Sequence, residues 1–287
     1  MEIVKGSCET LGRELRDVNL NLIDQDAVRE ILAAIHEHSM VLFTDQHLTV
    51  REFREMGLKL GAIMPYPDPR YRHPEYEGVF VSSNEKSRGM GMARSGYFWH
   101  SDLSFMRKPQ PLTVLFPRLL PEATRETLFI NMADVYDAMP SHLREIVDNH
   151  TAEHDPVLRY KVGQSDVDAH LDIGELIDNG RRAFPAPTHP CVITHPVNKR
   201  RCLYMNNGFV TKINGLKHEE SQAALKEIFE FINRPEHVHT HTWGPDQMIM
   251  WDNRMLIHRA GEMVGEATFF RLGIDDLVPF YEGIVTE

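Results

Sequence analysis

The chain has 287 residues, of which 42% are hydrophobic and 25% charged, and its formal net charge is −11. These values exclude a disordered or fibrous chain, and the acidic balance argues against a nucleic-acid groove, which needs a basic surface. Three cysteines without C-x-x-C spacing fit neither a disulfide scaffold nor a zinc ribbon, whereas sixteen histidines make a metal site worth seeking.

The N-terminal sequence shows no sign of targeting to a membrane. No apolar run approaches the ~18–20 residues that a membrane span needs, and residues 1–20 lack the pattern of a signal peptide. The sequence therefore predicts a cytoplasmic protein with no membrane partner. It leaves assembly into a homo-oligomer open.

The first elements are helical and flank a short buried strand. Apolar residues at helical spacing predict a helix over 24–38, and the run MVLF at 40–43 predicts a buried strand. A second helix is predicted over 49–61, with Thr49 as its N-cap and Gly61 as its end.

The rest of the chain favours a β fold. Short apolar runs separated by turn residues predict strands at 79–82, 112–116, 127–130, 192–195, 202–205, 237–242, 247–251 and 268–274. A helix is predicted at 218–232, and 154–190 has no clear period, which is typical of a lid-like insert. The predicted fold is mainly β with flanking helices, a sandwich or jelly roll, in one domain over 1–287.

A candidate metal site combines two distant segments. In WHSD, His100 and Asp102 are two residues apart, so on an extended strand both side chains point to one face. His258 ends a later strand-like run, and two histidines with one carboxylate form the triad of non-haem Fe(II) oxygenases. Arg271, on a following strand, suits a bidentate carboxylate partner. The alternative is that both histidines are ordinary, partly buried side chains.

Other histidines offer a weaker pattern. His237, His239 and His241 alternate, so on a strand they share one face. This arrangement suggests a second metal site, but a solvent-facing side of a strand is the favoured interpretation. The segment Trp251–Arg254, just before His258, is interpreted as a turn rather than as catalytic.

Four stretches carry a family resemblance: WHSDLSFM, TLFINMADVYDAMP, HPVNKRRCLYMNNGFVTKI and WDNRMLIHRA. They resemble the taurine-dioxygenase-like Fe(II)/2-oxoglutarate-dependent oxygenases. The resemblance implies a double-stranded β-helix (jelly roll), with Fe(II) on His100, Asp102 and His258 and with 2-oxoglutarate and O₂ as co-substrates. It implies that Thr127 and Arg271 bind 2-oxoglutarate. Members with a second arginine carry it four residues earlier, where this chain has Ala267.

A narrower resemblance concerns the substrate. The stretches PYPDPRYRHPEYEGVFVSS, GYFWHSD and HDPVLRYKVGQSDV are similar to oxygenases that form the isonitrile group of bacterial lipopeptides. That resemblance implies that Tyr66, Tyr71 and Lys161 bind a substrate carboxylate. On composition alone, Lys161 would be a solvated surface lysine, and both tyrosines would cover the edge of the core.

The sequence departs from this branch at Pro67, Arg72 and Glu262, where the branch has a tyrosine and two histidines. We therefore expect a small, carboxylate-bearing, amino-acid-like substrate, with isonitrile formation from an N-carboxymethyl-3-amino acid as one outcome. The first alternative is a taurine-dioxygenase-like hydroxylase or desaturase, including one that tailors an isonitrile amino acid. A metal-binding β-barrel without oxygenase chemistry, such as a zinc hydrolase or a sensor, is the second.

Overall fold

A computed structural model describes residues 2–5, 11–85, 96–121, 125–159, 172–261 and 265–283. The helices within these ranges are α1 (Gln25–His38), α2 (Val50–Leu60), α3 (Met132–Ala138), α4 (Ser141–Asn149), α5 (Ile173–Ala183) and α6 (His218–Ile232). None of them combines the length and the apolar character that a membrane-spanning helix needs.

Strands supply the rest of the regular structure. Those of the first half are β1 (Glu2–Lys5), β2 (Arg13–Arg16), β3 (Met40–Phe43), β4 (Ala62–Met64), β5 (Phe80–Ser83), β6 (Leu112–Leu119) and β7 (Glu126–Asn131). Those of the second half are β8 (Thr151–His154), β9 (Thr188–Pro190), β10 (Val192–Thr194), β11 (Arg201–Leu203), β12 (Val210–Ile213), β13 (Val238–Thr242), β14 (Met248–Asp252), β15 (Leu256–Ala260) and β16 (Thr268–Asp275).

The predicted N-terminal elements form because their ends are well capped. The side chain of Asp24 accepts a hydrogen bond from the backbone of Ala27 at the start of α1. Thr49 and Glu52 form a reciprocal capping box at the start of α2, which satisfies two backbone donors that the helix leaves open. The strand between these helices, β3, has four buried residues, as its unbroken apolar run predicts.

The largest sheet runs in the order β1-β2-β3-β14-β6-β16-β4, and β5 also pairs with β16. The β2–β3 pairing is parallel, and the other pairings of the described strands are antiparallel. Helices α1 and α2 pack on this sheet over an apolar core that includes Ile35, Phe53, Phe116 and Phe270. A buried sheet of this kind is a rigid support for side chains that project from its other face.

A second, three-stranded sheet has the order β13-β7-β15. His258 of β15 lies opposite Phe129 of β7 in the register. Outside the named strands, His100 forms a backbone bridge with His258, with N–O distances of 3.0 and 2.8 Å. This bridge brings the WHSD segment to the edge of the second sheet.

The segment 154–190, predicted as a lid-like insert, is regular where it is described. It contains a 3₁₀ turn at Pro156–Arg159, helix α5 and strand β9. Residues 160–171 lie outside the described ranges. The prediction of a β fold with flanking helices is confirmed as mixed sheets with several helices, and the lid function stays a prediction.

Candidate functional site

The three residues predicted as metal ligands lie together. His100, Asp102 and His258 are buried, and one nitrogen or oxygen atom from each lies within 4.8 Å of the other two. The nearest atom pairs are His100 Nε2 to Asp102 Oδ1 at 3.6 Å and His258 Nε2 to Asp102 Oδ2 at 4.0 Å. An ion bound at about 2.0–2.2 Å from each ligand separates neighbouring ligand atoms by roughly 3–4 Å, so this donor set fits one ion.

The local backbone turns sharply after Asp102. Leu103 has φ of +51°, a left-handed conformation that a branched residue rarely adopts. Its side chain is buried against Phe105 and Phe209, and this packing holds the turn in place. The chain thus reverses its direction only after Asp102. The side chains of His100 and Asp102 therefore still point to the same side, as the sequence predicts.

Burial favours the neutral form of both histidines, which is the form that binds metal. The ring Nδ1 of His100 lies 2.8 Å from the carbonyl of Phe98, which directs Nε2 towards Asp102. Burial lowers the pKa of His100 and, more strongly, that of His258. The ring of His258 packs edge-on against Trp251 at 4.7 Å.

Asp102 is held as a carboxylate by its neighbours. Burial alone raises its pKa, but the charge of Arg271, the two histidines and the Thr113 hydroxyl outweigh burial and lower the pKa to about 2. Arg271 Nη1 lies 2.8 Å from Oδ1, and Thr113 Oγ1 lies 2.6 Å from Oδ2. Arg271 is on β16 and Thr113 is on β6, so the large sheet orients a carboxylate that faces His258 of the second sheet and His100 at its edge.

Thr113 is the centre of a hydrogen-bond network that the sequence did not reveal. Its hydroxyl accepts from the amides of Gln110, at 2.6 Å, and Asn253, at 2.8 Å. An amide NH₂ group can only donate, so the single hydroxyl proton of Thr113 is directed to Asp102. Asn253 also accepts from the backbone of Asp102 at 3.2 Å. The turn predicted around Asn253 is present, and it has this second role as well.

We expect Thr113→Val to weaken metal binding without unfolding the protein. The substitution removes a hydrogen bond to the carboxylate predicted to bind the metal, and losses of this kind lower metal affinity about 10–100-fold. It also leaves two buried amide donors unsatisfied, at a cost of about 1–3 kcal/mol each in the free energy of unfolding. Calorimetric titration with Mn(II) and urea unfolding measure the two effects. Thr240→Val, at an exposed position of β13, is the matched control, and equal Mn(II) affinity in both variants would contradict the assignment.

A small cavity of about 60 Å³ opens beside the triad. It has room for about four to six water molecules at ~10–15 Å³ each, which suits a short acid. Its lining includes His100, His258, Thr127, Arg271 and Arg125. Thr127 is on β7 and accepts a hydrogen bond from Trp243 Nε1 at 2.9 Å. The two residues predicted to bind 2-oxoglutarate therefore line the same cavity, next to the histidines.

A larger cavity of about 400 Å³ also borders the triad and shares His100 and Arg271 with the small cavity. His100, Asp102 and Arg271 line it, and so do seven aromatic residues: Tyr66, Tyr71, Phe80, Phe98, Phe105, Phe184 and Phe209. The two predicted tyrosines pack around Phe80, with Tyr71 stacked on its ring at 4.8 Å. The Arg271 guanidinium lies 4.0 Å from the centre of the same ring. The two tyrosines thus line the cavity and also pack on the ring of Phe80.

Lys161 lies outside the described residues, so its predicted contact with substrate stays a prediction. Arg159, close to it in sequence, lines the large cavity. Its guanidinium donates to the carbonyls of Gly208 and Asn207 at 2.9 Å and lies over the Phe98 ring at 4.3 Å. No motif in the sequence marks this residue.

The alternating histidines at 237–241 are interpreted from the sequence as the solvent-facing side of a strand, and the structure differs from this interpretation at His241. His241 is buried and packs edge-on against Trp243 at 4.8 Å, while Thr240 and Thr242 are exposed. The buried position of His241 contradicts a solvent-facing side, whereas His239 is half-buried and His237 ends the 3₁₀ turn before β13. Among the described residues, only the triad groups three metal-binding side chains.

This fold and this site match a known family. Residues 4–272 match the model of the taurine catabolism dioxygenase TauD, TfdA family. The chain belongs to this family, and it is a dioxygenase dependent on α-ketoglutarate, which is 2-oxoglutarate. Enzymes of the family use Fe(II), 2-oxoglutarate and O₂. The alternative of a metal-binding barrel without oxygenase chemistry is therefore set aside.

Individual relatives are distant but cover most of the chain. A putative α-ketoglutarate-dependent sulfonate dioxygenase of Schizosaccharomyces pombe is 27% identical over 95% of this chain and 69% of its own length. An (S)-phenoxypropionate/α-ketoglutarate-dioxygenase of Sphingobium herbicidovorans is 26% identical over 88% of this chain and 86% of its own length. The crystal structure of a putative taurine dioxygenase from Burkholderia xenovorans superposes with a TM-score of 0.76 at 22% identity, over 95% and 92% of the two chains. This last similarity shows the shared fold.

Proposed function

We propose that the protein oxidises a small organic acid in the large cavity, with Fe(II) on His100, Asp102 and His258 and with 2-oxoglutarate in the small cavity. The observation that carries the proposal is the buried triad at the border of two cavities, each lined by His100 and Arg271. We further propose that the large sheet and the β13-β7-β15 sheet are the two faces of a jelly roll. The position of the site between them supports this assignment.

The residues of the chain have distinct tasks in this reaction. Bound Fe(II) and 2-oxoglutarate supply the oxidising chemistry when O₂ is present. Arg271 and Thr113 fix the orientation of the Asp102 carboxylate, and Thr127 and Arg271 bind 2-oxoglutarate. The aromatic walls exclude water, which strengthens these charge interactions and limits side reactions.

The lining of the large cavity favours an acid with an aromatic body. Seven aromatic side chains provide flat apolar surface, and Arg159 and Arg271 provide cations suited to a carboxylate. The Sphingobium relative is named for a phenoxypropionate and the yeast relative for sulfonates. We therefore propose an aryl carboxylic acid of the phenoxyalkanoate type. Isonitrile formation rests on the sequence resemblance alone, and neither of these relatives is named for it.

A substrate panel tests this proposal. We expect phenoxyalkanoic acids to trigger succinate release from 2-oxoglutarate, and to do so faster than alkyl sulfonates or N-carboxymethyl-3-amino acids. Faster release with a sulfonate would contradict the carboxylate preference, and release with an N-carboxymethyl-3-amino acid alone would favour the isonitrile branch. Before the panel, anaerobic protein with Fe(II) and 2-oxoglutarate should show a weak visible absorption band. Bound iron without that band would contradict the proposed cofactor site.

Lys161→Ala tests the predicted substrate contact of a residue outside the described ranges. A charge-assisted contact is worth about 1.5–3 kcal/mol, so we expect substrate affinity to fall about tenfold or more and 2-oxoglutarate affinity to stay the same. Titration with each ligand separately measures both. Lys212→Ala, at an exposed position of β12, is the control. Unchanged substrate affinity would mean that Arg159 or Arg271 binds the acid without Lys161.

Three further expectations stay predictions. The protein is proposed to be a single domain over 1–287, to be located in the cytoplasm and to bind neither nucleic acid nor a membrane, and it could form a homo-oligomer. Self-association is tested by light scattering at several concentrations.

A further inference from the structure

We propose that Arg125 binds the distal carboxylate of 2-oxoglutarate, while Arg271 acts at the metal end of the same cavity. This inference rests on the proposed function, because it assigns a residue within the proposed co-substrate site. The observation behind it is that two arginines, Arg125 and Arg271, line the small cavity.

The order of residues along β7 places Arg125 away from the metal ligands. Phe129 pairs with His258 in the register, and Thr127 pairs with Ala260. The hydrogen-bond ladder continues to Arg125, whose carbonyl accepts from Trp243 at 2.9 Å. At ~3.3 Å per residue, Thr127 is about 7 Å and Arg125 about 13 Å along the strand from Phe129. Alternation puts all three side chains on one face, and all three are buried.

Arg271 is placed at the opposite end. Its Nη1 lies 2.8 Å from Asp102 Oδ1, so part of its charge is shared with a proposed metal ligand. 2-Oxoglutarate carries two carboxylates, and burying the distal one without a cation nearby is costly. A second cation at the far end of the cavity therefore completes the site.

The surroundings of Arg125 fix the position of its guanidinium group and shield it from water. It is 8% exposed, its Nη1 donates to the carbonyl of Gly261 at 3.1 Å, and its guanidinium lies 5.5 Å from the centre of the Phe269 ring. Burial lowers the pKa of Arg125, with an opposing contribution from the Tyr97 hydroxyl. Such a poorly hydrated cation gains more from an incoming carboxylate than an exposed one does.

Thr127 supports the same end of the ligand. Its hydroxyl accepts from Trp243 Nε1, and the hydroxyl proton has no acceptor among the described residues. A carboxylate oxygen, which only accepts, suits that proton. Arg125 immediately precedes β7 and is two residues from Thr127 in an extended segment, so both side chains point to one side and can contact one carboxylate.

The other arginines near His258 are engaged elsewhere. Arg254 is fully buried in ion pairs with Asp252 at 3.1 Å and Asp276 at 2.8 Å. Arg259 lies over the Trp99 ring at 5.2 Å. Neither is among the residues that line the small cavity.

The test compares two ligands in the Mn(II)-loaded protein by calorimetry without O₂. 2-Oxoglutarate and 2-oxopentanoate share the keto acid end, but the second has a methyl group in place of the distal carboxylate. We expect Arg125→Met to weaken 2-oxoglutarate binding about 10–100-fold and to leave 2-oxopentanoate binding unchanged. Arg125→Lys should recover part of the loss. Arg118→Met, which removes an exposed arginine of β6, should change neither affinity.

Each other outcome has a definite meaning. Equal weakening of both ligands, or no weakening of either, would overturn the assignment of Arg125. A wild-type protein that binds both ligands equally tightly would also overturn it, because the distal carboxylate would then not be recognised. Wild-type protein that binds Mn(II) but neither ligand would instead contradict the proposed function. The ratio of the two affinities is measured within one variant, so a partly destabilised Arg125→Met still gives an answer.

Discussion

Replacement of any one of His100, Asp102 or His258 by Ala should abolish 2-oxoglutarate turnover and leave the fold intact. Each residue supplies one of three proposed bonds to the metal, and the triad groups their ligand atoms within 4.8 Å. The apolar core that supports the large sheet lies on the side where α1 and α2 pack. Loss of one polar side chain from the site therefore removes little of the packing.

Three measurements separate loss of metal from loss of fold. Succinate release reports turnover, calorimetry with Mn(II) reports metal binding, and circular dichroism reports the fold. His142→Ala, at an exposed position of α4, controls for removal of a histidine. Turnover at the wild-type rate in any of the three triad variants would exclude that residue as a ligand.

Arg271→Ala should raise the concentration of 2-oxoglutarate needed for half-maximal turnover. Truncating one partner of a buried charge pair costs about 2–5 kcal/mol, or roughly 30- to 3000-fold in affinity. The substitution also removes the partner of Asp102 at 2.8 Å, so part of the loss should appear as weaker Mn(II) binding. Arg271→Lys keeps the charge without the planar fork, and we expect it to recover only part of the affinity.

The measurement on Arg271→Ala must separate the loss of 2-oxoglutarate affinity from the loss of metal affinity. Titration of 2-oxoglutarate at saturating metal measures the loss of 2-oxoglutarate affinity alone. Arg118→Met again serves as the control for loss of an exposed charge. An unchanged half-saturation value would mean that Arg125 alone supplies the charge for 2-oxoglutarate.

Local signals in the sequence were sufficient for several of the elements and for the proposed metal ligands. The apolar run 40–43 and the cap at Thr49 depend only on near neighbours, and both are confirmed. The H-x-D spacing predicted that His100 and Asp102 share a face, which a strand-like backbone guarantees. His258, far away in the sequence, completed the set of two histidines and one carboxylate that is typical of non-haem Fe(II) oxygenases.

Residues whose roles depend on distant neighbours could not be found in this way. Thr113 and Asn253 are 140 residues apart, and only the sheet brings their side chains to Asp102. Arg125 carries no motif, since its place in the cavity follows from the register of β7 with β15. The burial of His241 likewise depends on which side of an edge strand is covered, and alternation alone does not specify that side.

The backbone bridge between His100 and His258 has a consequence for folding. The segments that it joins are far apart in the chain, as the hydrogen bond from Ser101 to the carbonyl of Asn253 across 152 residues also shows. Contacts of such long range are slow to form, so the metal site is completed only when nearly the whole chain has folded. A metal that binds only the native state then stabilises it by about 2.7 kcal/mol at a hundredfold excess over its dissociation constant. The melting temperature of the protein should accordingly rise with metal concentration, which makes thermal unfolding a direct assay of metal occupancy.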